Sequence, residues 1–222
     1  MSFTRVPTGS GPPYGPEDFK REFGLSDGVL GRLESYAALL VKWQLRINLV
    51  GGNTISELWH RHMRDSAQLI DHMRNINAPW VDIGSGAGFP ALVMAIVIGE
   101  SLALPVHLVE SDKRKAIFLR EVIRVTGAAA QVHDIRVEDV LSPHIGGMAG
   151  LITARAIAPV HQILELAEAI TDKETLYLLL KGQDVDDELT FAAKYRKMTV
   201  SQHPSRTNSA GKVLRITEVA RV

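Results

Sequence analysis

Asp82, Gly84, Gly86 and Gly88 spell D-x-G-x-G-x-G, entered from the short apolar run Trp80-Val81-Asp82-Ile83. Glycines at alternate positions let a chain turn sharply and bring bare main chain against a ligand. The dinucleotide fingerprint G-x-G-x-x-G/A sets a pyrophosphate on a helix end. Gly86, Gly88 and Ala91 satisfy that spacing only by leaving Asp82 beside the phosphate. A ligand with an ammonium group and no phosphate suits the carboxylate better. S-Adenosylmethionine, zwitterionic at its methionine end and cationic at sulfur, has that chemistry; NAD or FAD, or an ordinary glycine-rich turn, are the alternatives. The loop predicts contacts from Asp82, Gly84, Ser85, Gly86, Gly88 and Phe89.

Glu110 ends the next apolar run, Val106-His107-Leu108-Val109. A carboxylate at that strand tip in a doubly wound fold accepts hydrogen bonds from ribose hydroxyls. Asp134 and Val137-Glu138-Asp139 follow a third candidate strand, where they would flank an adenine. Arg155, in Thr153-Ala154-Arg155-Ala156, carries a planar donor fork suited to a guanine or a phosphate. Lys181 closes a fifth apolar run at the same sheet edge and is a second candidate for the catalytic centre.

What is missing narrows the chemistry. Cysteine is absent, which excludes disulfides, thiolate metal sites and the cysteine nucleophile of the usual cytosine C5 methyltransferase. Thr153-Ala154-Arg155-Ala156 stands where an adenine N6 enzyme typically carries [DNS]-P-P-[YFW]. His60 and His62 diverge at their helical spacing, so no metal site is expected, whereas His62 and Asp65 at i and i+3 could pair.

The formal net charge is zero, so any nucleic-acid face must be local. Candidates are His60, Arg61, His62 and Arg64; Lys113, Arg114 and Lys115; Arg136; and a loop with Arg206, Lys212 and Arg215. Each could equally be a solvated surface; around one cleft they would make a track for RNA phosphates.

The elements that must position these residues alternate. Strands are predicted at 80–83, 105–110, 130–135, 150–154 and 175–180, with helices at 91–97, 113–125, 160–170 and 184–195 between and after them. Pro90 suits the first helical turn. Residues 198–203 and 213–219 read as a closing antiparallel hairpin. This pattern demands a mostly parallel sheet with right-handed crossovers: an α/β, class I S-adenosylmethionine-dependent methyltransferase (Rossmann-like) fold of seven strands. Before it, helices are predicted at 17–23, from Ser26 and Asp27 to Trp43, and from Ile55 or His62 to Met73. The domain reading is a disordered tail at 1–16, a helical cap at 17–76 and the core at 77–222. With 45% hydrophobic residues, no run of 18 apolar residues and no signal-like start, a soluble, cytoplasmic monomer without membrane contact is expected.

These segments resemble the RsmG (GidB) family, bacterial methyltransferases acting on N7 of a guanine in the decoding-region loop of 16S ribosomal RNA. The similarity lies in Asn48-Leu49-Val50, Arg61-His62-Met63-Arg64-Asp65-Ser66, the glycine loop, Val109-Glu110-Ser111 with Lys113-Arg114-Lys115, Arg136-Val137-Glu138, Thr153-Ala154-Arg155-Ala156 and Leu180-Lys181-Gly182-Gln183. The resemblance implies cofactor contacts at Gly84, Phe89, Glu110, Val137, Glu138 and Arg155, with S-adenosylmethionine as methyl donor and 16S rRNA or the 30S subunit as partner. Two departures stand out: Glu110 where the family often has Asp, and Ala91 where the loop usually ends in Gly. Guanine N7 carries a lone pair and no proton, so no dedicated general base is expected. A small-molecule or protein methyltransferase, or a non-catalytic RNA-binding or assembly factor on the same scaffold, are the alternatives.

Overall fold

In the computed structural model, residues 14–74 and 77–222 are described. Seven strands form one sheet: β1 (Trp80–Ile83), β2 (Val106–Val109), β3 (Ala130–His133), β4 (Leu151–Arg155), β5 (Leu176–Lys181), β6 (Arg196–Pro204) and β7 (Lys212–Arg221). Their order is β3-β2-β1-β4-β5-β7-β6. The first five run parallel; β7 lies antiparallel beside β5 and pairs with β6 as the expected hairpin. The order reverses between β1 and β4, the switch point where such sheets open a crevice.

Strand period sorts the core. Trp80, Val106, Leu108, Leu151, Leu176 and Leu178 face one side, and Val81, Ile83, Val109, Ile152, Tyr177 and Leu179 the other. Both sides are covered, which is why β1, β2 and most of β4 and β5 are buried apolar runs. On the first side the helices Ala91–Ile98 and Lys113–Thr126 join Phe19, Leu33, Tyr36 and Leu40 of the N-terminal helices in one core. Helix Ala91–Ile98 is apolar all round because it is enclosed between the sheet and helix Asp27–Gln44. The second side holds helices Val160–Leu166 and Val185–Ala192.

Several boundaries differ from expectation. The expected tail at 1–16 lies outside the described residues up to 13, while Gly15 caps and Pro16 opens the first helix, Pro16–Phe23. Ser26 caps helix Asp27–Gln44, its hydroxyl accepting from Val29 N–H, and the buried side of the helix is Leu30, Leu33, Tyr36, Ala37 and Leu40. The single helix expected before residue 73 is instead a 3-10 turn Gly52–Glu57, a π-helical turn Trp59–Arg64 and short turns from Asp65 to His72. In this segment His62 and Asp65 both face Arg155 at the end of β4. Pro90 is the N-cap of its helix rather than a member of the first turn. Among the described residues no helix is long and apolar enough to cross a membrane.

Candidate active site

A cavity of ≈ 960 Å³ opens at the carboxyl ends of β1, β2, β4 and β5. Its floor is the glycine loop. Ser85 N–H donates to the Val109 carbonyl (3.0 Å) and Gly86 N–H to Glu110 Oε2 (2.8 Å), tying the loop to the tip of β2. Gly84 (φ 66°) and Gly88 (φ 91°) are required by close approach: a Cβ at Gly84 would lie 2.1 Å from Ile157 Cδ1, and one at Gly88 2.7 Å from the Tyr36 hydroxyl. That oxygen bonds the Ala87 carbonyl. Gly84, Ser85, Gly86 and Phe89 line the cavity; Gly88 does not, because its bare face turns to Tyr36 and Leu92.

Asp82 is the main correction in this loop. It is 1% exposed and absent from the cavity wall. Its Oδ1 accepts from the Thr153 hydroxyl (2.6 Å), which itself accepts from Trp80 Nε1 (2.9 Å). Asp82 Oδ2 has no partner among the described residues, and burial pushes the carboxyl pKa up to about 7. Asp82 thus keeps one open acceptor but does not reach the cavity itself.

Glu110 does face the cavity. Oε2 holds Gly86 and Oε1 accepts from Asp112 N–H (2.8 Å), leaving further lone pairs for a ligand. Helix capping falls to Asp112, which accepts from Arg114 N–H and Lys115 N–H. Val137 and Glu138 also line the cavity, while Asp134 pairs with Arg120 (3.2 Å) and is not part of the lining.

Arg155, at the end of β4, is packed into an aromatic and ionic cluster. Its guanidinium carbon lies 4.8 Å from the Phe89 ring centroid; His62 and Tyr36 stack on that ring at 5.1 and 5.5 Å. Nη2 donates to His62 Nδ1 (2.9 Å), and Nη1 reaches the Arg61 carbonyl (3.3 Å) and Asp65 Oδ2 (3.5 Å). The fork expected to hold a guanine or phosphate is thus engaged within the protein, although the side chain lines the cavity. An arginine keeps its protons, so His62 Nδ1 accepts and Nε2–H donates to the Thr54 hydroxyl (2.7 Å). Burial, then Arg155 and Arg61, push the His62 pKa down to about 3, and the ring is neutral. His62 and Asp65 do not pair with each other; both converge on Arg155.

Lys181 lines the cavity but its ammonium is committed to the Ala158 carbonyl (2.8 Å) and Glu188 (2.6 Å). The basic residues separate similarly. Arg61, His62, Lys115, Arg136 and Lys212 line the cavity. Lys113 and Arg114 do not, and Arg114 leans to Asp112 (3.7 Å). Arg64 is bound to Glu22 (2.8 Å) over the Tyr14 ring, and Arg206 to Asp71, so these two fasten the cap to the hairpin loop. Arg215 is not in that loop; it lies within β7 between Leu178 and Ser201.

Two walls escaped sequence reasoning. One is the Asn48–Gly51 turn, held by Gln44, whose Oε1 accepts from Leu49 N–H and Val50 N–H at 2.9 and 3.1 Å. The other combines Asp65 with Ser205, Thr207 and Asn208 of the β6–β7 loop. The R-H-x-x-D-S spacing was the available signal for Asp65.

The family model for rRNA small subunit methyltransferase G, GidB, matches residues 30–215. The chain belongs to this family. Ribosomal RNA small subunit methyltransferase G of Paramagnetospirillum magneticum is 48% identical over 207 residues, 93% of this chain and 97% of that one. The protein of the same name from Rhodospirillum centenum is 45% identical over 221 residues, covering 99% and 97%. Among solved structures, M. jannaschii TYW2 in complex with AdoMet shares the fold, with a TM-score of 0.51 at 14% identity and 80% of each chain covered. The expected class I S-adenosylmethionine-dependent methyltransferase fold is therefore the observed one. In this GidB-family chain the helical cap supplies one side of the cavity and the hairpin loop another.

Proposed function

We propose that this chain transfers the methyl group of S-adenosyl-L-methionine to N7 of a guanine in the decoding-region loop of 16S rRNA, as a monomer acting on the 30S subunit or its precursor. Its family makes it an rRNA small subunit methyltransferase. The cofactor is S-adenosyl-L-methionine, and the residues present fit it. Gly84 and Gly86 offer main chain, Glu110 offers acceptors for ribose hydroxyls, and Val137 and Glu138 flank the adenine end. When bound, the cofactor supplies an electrophilic methyl group on a sulfonium.

The observation that carries the N7 reading is the state of the polar side chains around the ends of β4 and β5. His62 is neutral with both ring nitrogens bonded, Arg155 is held by His62 and Asp65, and Lys181 is paired with Glu188. None is poised to remove a proton, and N7 has none to lose. Catalysis then rests on holding a base in line with the methyl group, an effect that lowers barriers by up to about 7–11 kcal/mol for well-oriented pairs. Arg61, Lys115, Arg136 and Lys212 at the cavity give the RNA backbone its counter-charges. A ribosomal substrate makes the cytoplasm the working compartment.

The test is transfer of radiolabelled methyl from S-adenosyl-L-methionine to 16S rRNA and 30S subunits, with nucleoside analysis. Label in 7-methylguanosine is the expected result. Label in another nucleoside overturns the N7 assignment, and cofactor binding without labelled RNA overturns the substrate.

A further inference from the structure

We propose that Asp65 is a positioning residue that sets Arg155 and the β6–β7 loop in register, so that the cofactor side and the RNA side of the cavity are assembled together. The inference deepens the function proposed above and rests on it for the identity of the substrate. Asp65 Oδ2 faces Arg155 Nη1 at 3.5 Å, with both side chains largely buried (17% and 16% exposed). Its Oδ1 accepts from the Thr207 hydroxyl at 2.6 Å, from Gln68 Nε2 at 2.8 Å and from the Ser205 hydroxyl at 3.4 Å. Asp65, Arg155, Ser205 and Thr207 all line the cavity. A single carboxylate therefore links the π-turn segment, the end of β4 and a loop distant in sequence, at the wall of the site itself.

A carboxylate serving only to glue cap to core would be redundant here. Arg64 Nη1 already donates to the Arg206 carbonyl (2.9 Å), and Arg206 N–H to Gln68 Oε1 (2.8 Å). What those contacts do not do is orient Arg155. Its guanidinium keeps its face on Phe89 because His62 and Asp65 hold two of its nitrogens. His62 is neutral, so Asp65 supplies the counter-charge. Without that charge the guanidinium has reason to turn toward solvent, and the loop loses the acceptor of Thr207 in the same step.

The experiment compares Asp65→Asn, Asp65→Glu, Thr207→Val and the Asp65→Asn/Thr207→Val double variant. It reads thermal stability, calorimetric binding of S-adenosyl-L-methionine, steady-state methylation of 30S subunits and amide exchange over residues 205–212. Asp65→Asn is expected to stay folded, lower kcat by about 10- to 100-fold through misalignment, and speed exchange in the loop. Thr207→Val should raise KM for 30S several-fold with cofactor binding unchanged, and the double variant should be no worse than Asp65→Asn. Partial recovery in Asp65→Glu, which keeps the charge, supports the assignment. Additive losses in the double variant, or Asp65→Asn with wild-type kcat and loop exchange, overturn it. Wild-type protein that binds cofactor but labels no rRNA overturns the proposed substrate instead, since the exchange measurement reads the coupling without RNA.

Discussion

Gly86 N–H donates to Glu110 Oε2 at 2.8 Å, joining the loop after β1 to the tip of β2. The same carboxylate is the ribose acceptor of the proposed site, so it shapes the loop and contacts the ligand at once. Glu110→Gln keeps one acceptor oxygen, loses the charge and presents an NH₂ to one of its two N–H partners. Calorimetry should show S-adenosyl-L-methionine affinity falling by about 10- to 100-fold, in line with about 1.5–3 kcal/mol for a charge-assisted bond. Unchanged affinity would remove Glu110 from the site.

Gly86 and Gly88 should separate function from stability. A Cβ at Gly86 meets nothing nearer than the Gly84 carbonyl at 3.8 Å, and the residue opens on the cavity. Gly86 has a left-handed φ of 56°, which an aspartate adopts at a cost of about 1–2 kcal/mol. Gly86→Asp should therefore remain folded with somewhat lower stability and lose cofactor binding. A Cβ at Gly88 would meet Leu92 Cδ1 at 2.6 Å and the Tyr36 hydroxyl at 2.7 Å. Gly88→Ala should cost about 2–4 kcal/mol by overpacking and a disfavoured φ. Denaturant melts beside binding isotherms distinguish the two, and a stable Gly88→Ala protein would contradict the packing described.

Lys181 is expected to act on stability. Its pair with Glu188 is mostly buried, the side chains being 9% and 23% exposed, and Glu188 also accepts from Val160 N–H (2.8 Å). Lys181→Ala should destabilise by about 2 kcal/mol, a Tm drop of about 4–8 °C. Single-turnover methyl transfer per folded molecule should stay near wild type; a loss well beyond the stability effect would return Lys181 to the catalytic list.

The pH dependence of stability has opposing parts. His62 and His107 are pushed by burial to about 3 and about 4, below the ordinary histidine value of about 6.5. The unfolded chain takes up those protons first, so their contribution is full above about pH 6.5 and is lost as the pH falls toward about 4 for His107 and about 3 for His62. Asp82, raised by burial to about 7, works the other way: the folded state holds its proton more tightly, and stability declines from about pH 4 to 7. Asp82→Asn removes that decline. The Tm difference, variant minus wild type, should grow between pH 4.5 and pH 7 and then level off. A difference that stays constant with pH would show that Asp82 titrates normally.

Much of this protein was written in the local pattern of its chain. Apolar runs broken by glycine and polar turns gave the alternation of strands and helices. Parallel pairing followed because such short, mainly hydrophobic runs must be covered on both faces. Gly127 ends its helix in the left-handed conformation (φ 64°), which glycine adopts without a Cβ penalty. Glu110 and Gly84 reached the cavity because a strand tip and the turn beside it are set by local chain direction and sheet order.

Side-chain partners across the fold were decided only by tertiary structure. Asp82 was expected at the ligand, but strand register put Thr153 beside it and buried it. Arg64 and Arg206 looked like RNA contacts until Glu22 and Asp71, remote in sequence, took up their charges. Lys181 had the same history with Glu188. Asp65 gained its role from residues 90 and 142 positions away, Arg155 and Thr207. Periodicity reports which way a residue faces along its own element. It carries no information on which charge stands opposite, because that depends on how separate elements meet.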